Sequence, residues 1–134
     1  MNNSNDQKRH DILGIKELTT KAGGGIAYFK DKSLKTILTL VNDGFLDLNE
    51  EMNNMPPLRS IVKVSQELGN DSVSFHGYIV GEHREDSRIT IDSITFLKNS
   101  EITVSEESKV LLAEWVKSAD EVSKSALEVT LWWD

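Results

Sequence analysis

Cysteine is absent from this chain of 134 residues. That excludes disulfides, thiolate-held iron–sulfur clusters and cysteine nucleophiles. The only two prolines are neighbours, Pro56–Pro57, so the strongest barrier to helix sits at one point. Long apolar runs are also missing. The greasiest stretch, Leu34 to Val41, is interrupted by Lys35, Thr36 and Thr39. It falls far short of the roughly 20 apolar residues that a membrane helix needs. Met1 to Asp11 is polar and leads into no apolar segment, so no targeting signal is read there and a cytoplasmic location is expected.

Basic charge is scarce in one part of the chain. The formal net charge is −7, and residues 46–134 carry eight bases against 17 acids. Residues 1–45 carry seven bases and five acids. A phosphate backbone would be repelled over most of the chain, so direct nucleic-acid binding is not expected. An acidic surface favours solubility and would steer a basic partner.

The length fits one domain able to bury a core unaided. Residues 1–10 read as a disordered tail and 11–134 as a single α+β domain. Ile12, Ile15 and Leu18 suggest a short helix over 11–21, ended by Gly23-Gly24-Gly25. Ile26 to Phe29 reads as an edge strand. Leu34, Ile37, Leu38 and Val41 predict a helix capped by Asp31 or Ser33 and stopped near Gly44. Residues 58–68 fit both periods. Their β-branched residues favour a strand, with Gly69-Asn70-Asp71 as a hairpin turn into a second strand at 73–80. A third strand at 88–97 changes phase, which a bulge near Asp92–Ser93 would repair.

Thr103 and Glu106 match a capping box. Leu111, Leu112, Trp115, Val116, Ala119 and Val122 then form a stripe that predicts one long helix over 104–123, with Asp120 and Lys124 as an ion pair on its wet side. Alternation at 127–133 predicts a last strand. The expected architecture is a mainly antiparallel sheet of four to five strands, covered by the long C-terminal helix, with one or two N-terminal helices.

No catalytic motif stands out. The glycine run at 23–25 lacks the lysine and hydroxyl that a phosphate loop needs after its last glycine. Glu82, His83, Glu85 and Asp86 have metal-ligand chemistry, but neighbours on a loop usually face water. Ser87, Asp86 and His83 resemble a triad in composition only. Lys30, Lys32 and Lys35 on an acidic chain make a poor winged-helix reader. No cofactor or metal is expected, and an enzymatic role is disfavoured.

Four residues carry the functional expectation. His76 and Tyr78 share the strand face opposite Phe75 and Ile79. Trp132 and Trp133 must point to opposite faces, so one indole enters the core and the other needs a cover. An exposed Trp132, with Tyr78, would form a protein interface, through a partner or a homodimer. The first reading is therefore a small acidic interaction or regulatory domain binding another protein, basic by preference. The second is a small-ligand domain or small enzyme with a pocket around His76, Tyr78 and Trp115.

Overall fold

The computed structural model describes residues 5–15, 25–50, 52, 54–81, 84–98 and 104–133. Helix α1 spans Asn5–Leu13 and brings Arg9, His10 and Leu13 to buried positions. It therefore starts inside the stretch read as tail. The stretch lacks an apolar stripe, so periodicity carried no signal there. Residues 16–24, where the predicted helix end and most of the glycine run fall, lie outside the described residues.

Strand β1 covers Ile26–Lys32, and α2 covers Leu34–Asn42. Ser33 is the cap of α2: its hydroxyl accepts the Thr36 N–H at 3.2 Å. At the other end Phe45 N–H bonds the Leu40 carbonyl and Gly44 N–H bonds that of Val41. This paired closure needs Gly44 at φ +83°, where glycine is at ease.

Residues 58–68 form a helix, α3 (Leu58–Leu68), and not the preferred strand. Leu58, Ile61, Val62, Val64 and Ser65 are all buried, a face too broad for one side of a strand. Tertiary burial of that face overrides the β-preference of its valines. The turn Asn70–Ser72 thus links α3 to β2 (Val73–Val80) and is not a hairpin.

Strand β3 (Arg88–Leu97) pairs antiparallel with β2, and its predicted bulge is present. His76 faces Ser93 while Gly77 faces Ile91, leaving Asp92 as the extra residue. Gly77 is required at this crossing, because a Cβ there would lie 1.9 Å from the Thr90 carbonyl oxygen.

The late helix, α4 (Glu106–Ser118), is shorter than its stripe implied. Ser105 caps it, accepting the Ser108 N–H at 3.2 Å, whereas Thr103 lies outside the described residues. Glu67 of α3 also reaches this end. It accepts the Ser105 N–H at 2.8 Å and the Ser108 hydroxyl, and these bonds hold its carboxyl below the ordinary range. After Ala119 the chain reverses into β4 (Glu121–Lys124), a strand where helix was expected. It pairs with β5 (Glu128–Trp132). Two bonds fix the break: Asp120 N–H to the Trp132 carbonyl at 2.8 Å, and Trp133 Nε1–H to the Ser118 hydroxyl at 3.2 Å. Lys124 therefore shares no helix with Asp120.

The result is an α+β fold with a five-stranded antiparallel sheet in the order β1-β2-β3-β5-β4. Phe75, Ile79, Ile91, Ile94 and Leu131 project from one face. They meet Leu34, Ile37 and Leu40 of α2, Ile61 and Val64 of α3, and Trp115 of α4 in one apolar cluster. Trp115 is buried and stacks on Phe96, with ring centroids 6.3 Å apart. Trp133 is wholly buried beside them. The described helices thus occupy one side of the sheet, and none of them covers the other.

Candidate functional site on the open sheet face

Strand pairing decides which side chains share the open face, because directly paired residues point the same way. Tyr28 pairs with Tyr78, and Tyr78 with Thr90. His76 pairs with Ser93, and Ser93 with Trp132. Thr95 pairs with Thr130. Tyr28, at 74% exposure, and Trp132, at 43%, remain open to solvent. Among the described residues no N-terminal helix lies over Trp132. These rows border a cleft of about 470 Å³ whose lining includes Tyr28, His76 and Trp132, with Thr95 and Thr130 in its floor.

His76 is held from both sides. Asp31 sits at φ +58°, a left-handed conformation that aspartate tolerates, where the β1–β2 register shifts. Its N–H donates to His76 Nδ1 at 3.0 Å. Nδ1 is therefore an acceptor, which leaves the proton of a neutral ring on Nε2. Nε2 donates to the Thr95 hydroxyl at 2.8 Å, and the Thr95 and Thr130 hydroxyls share a further bond, also of 2.8 Å. Burial pushes the imidazole below its ordinary value near 6.5. The Asp31 carboxylate, 3.8 Å from Nδ1, opposes that shift without cancelling it, as do Asp92 and Glu128. Neutral His76 is a structural hub here and carries no charge into the cleft.

Charge at the cleft comes from Asp31, Asp92 and Glu128, against Lys30. The balance is acidic, beside an aromatic wall. Further along the face Tyr28 and Tyr78 lie with centroids 5.9 Å apart, and the Arg88 guanidinium sits 5.7 Å from the Tyr78 ring. Asp86 grips Arg84 through two bonds of 2.9 Å and also reaches Arg88, which holds its carboxyl below the usual carboxylate range.

The structure brings His76 and Trp132 into one cleft and sets Tyr78 on the same face. It separates Trp115 from them. That indole is on the helix side, so the expected pocket around His76, Tyr78 and Trp115 does not form. The error came from placing the pocket between sheet and helix, where the core packs. Tyr28, Asp31, Thr95 and Thr130 were not expected at a site, and Asp31 was read only as a candidate helix cap. Only strand register joins them to His76, and register is not visible in a single chain's alternation. Glu82 and His83 lie outside the described residues. Among the described residues no three metal-ligating side chains converge. No family model, curated protein or solved structure matches this chain.

Proposed function

We propose that this protein is a small acidic interaction domain that binds a partner protein through the open face of its sheet. The partner presents a basic segment, with an arginine or lysine side chain entering the cleft. One observation carries the reading: Trp132 and Tyr28 remain exposed on a sheet face that none of the described helices covers. Aromatic side chains anchor interfaces because they bury large area at low entropic cost. A guanidinium over an indole gains cation–π energy, about 0.5–2 kcal/mol depending on desolvation. Asp31, Asp92 and Glu128 at the rim supply the complementary charge.

Replacing Trp132 and Tyr28 by alanine tests the proposal. The immobilised wild-type chain should retain a basic partner that the folded double variant does not, and retention should weaken as salt rises. Equal retention by both proteins rules the open face out. A second reading, a small cationic molecule in the same cleft, draws on its volume of about 470 Å³. It predicts saturable binding of arginine or a polyamine without any protein partner.

A further inference from the structure

Trp132 does not stand alone on the open face. Its strand, β5, runs between β3 and β4. Trp132 pairs directly with Ser93 on one side and with Glu121 on the other. Directly paired residues share a face, so the Glu121 side chain stands beside the indole, with Cβ atoms about 5 Å apart. On the β3 side the bulge adds Asp92 next to Ser93, and Asp92 lines the cleft together with Trp132. An exposed indole is thus bracketed by carboxylates from both neighbouring strands.

Two backbone bonds hold the bracket at the tryptophan pair. Asp120 N–H donates to the Trp132 carbonyl at 2.8 Å, which fixes the start of β4 against β5. Trp133 N–H donates to the Asp92 carbonyl at 2.9 Å, which ties the bulge to β5 from the other side. The nearby bases point elsewhere. Lys30 lines the cleft from β1, three strand spacings or about 14 Å across the sheet from β5. Lys124 pairs with Val129, which packs against the core cluster, so it belongs to the helix-bearing side.

We infer that the basic side chain received on this face is an arginine of the partner protein and not a lysine, its guanidinium stacked on Trp132 and bonded at its two edges by Asp92 and Glu121. A guanidinium is planar. Stacked on an indole, it keeps its N–H groups in its own plane, directed outward to acceptors on either side. An ammonium is compact and strongly hydrated, and it cannot lie flat on the ring while meeting both carboxylates. An aromatic plane flanked by two carboxylates therefore favours arginine. Glu121 stands outside the cleft, and only the register of β4 places it beside Trp132, where it sets specificity. This inference rests on the open-face reading and narrows its partner to a protein that presents an exposed arginine.

Isothermal titration of the whole chain with two peptides of equal length and charge tests it, one arginine-rich and one with lysine at every arginine. The arginine peptide should bind about tenfold more tightly. Glu121→Gln and Asp92→Asn should each weaken the arginine peptide by about threefold and the lysine peptide less, so the preference shrinks. Glu121→Asp should keep part of it, and Trp132→Ala should abolish it. Glu121 is exposed, so its variants remain informative if Asp92→Asn does not fold. Equal affinity for the two peptides overturns the inference and leaves the open-face reading in place, whereas binding of neither peptide removes both. An undiminished preference in Glu121→Gln also overturns it. So does free arginine binding as tightly as the peptide, because a protein partner then adds nothing.

Discussion

His76 Nε2 and Thr95 Oγ1 lie 2.8 Å apart, and the ring that makes this bond is held neutral from its other side. The other ring nitrogen already accepts from the Asp31 backbone, so a second ring proton would displace a donor. With the folded value depressed, the unfolded chain binds more protons between that value and about 6.5. Stability should therefore rise with pH through this window and be lost as pH falls through it. The facing charges are Asp31, Asp92, Glu128 and Lys30, and all four are included in that direction. Urea unfolding from pH 7 down to pH 5 checks it, and His76→Gln should flatten the slope. Thr95→Val, which strips the ring of its acceptor, should cost about 1 kcal/mol at pH 7.

Gly77 is the least replaceable glycine among the described residues. Alanine would put its Cβ 1.9 Å from the Thr90 oxygen, and the obstacle is backbone in the central strand pair. The strands must part or the bulge must move. Gly77→Ala should destabilise by about 3 kcal/mol, the upper range for overpacking, as measured by denaturant unfolding. Gly44→Ala meets no atom, and its cost comes only from φ +83°. About 1 kcal/mol is expected there.

The neighbouring tryptophans should behave oppositely. Trp133 is 0% exposed and its indole N–H is bonded to Ser118, so Trp133→Ala should cost about 3–5 kcal/mol. Trp132→Ala should cost far less, about 1 kcal/mol, because the side chain is 43% exposed and lies outside the core. Thermal melts of the two variants give this comparison directly. A Trp132 variant as unstable as the Trp133 variant would mean that the indole serves packing.

Parts of this arrangement were legible from the chain alone. Alternation at 73–80 and 127–133 located two strands, and the phase change at 88–97 located the bulge at Asp92. The pair Trp132–Trp133 showed that one indole would face outward. The misread segments share a cause. In α3, valines with strand preference lie on a helix because their burial favours it. At 119–124, helical spacing continues past a break that two long-range bonds impose, from Trp132 and Trp133. The site suffered likewise. Tyr28, Asp31 and Thr130 meet His76 across strands distant in the chain, and nothing local marks that convergence.

The indole N–H resonances of the three tryptophans test the interaction surface most directly. An arginine-rich peptide is titrated into the folded protein, with a peptide carrying glutamate for arginine as the control. The Trp132 resonance should shift saturably with the basic peptide alone, and less at high salt, while buried Trp115 and Trp133 hold still. A Trp132 resonance that does not move, or moves equally with the acidic control, would contradict the account.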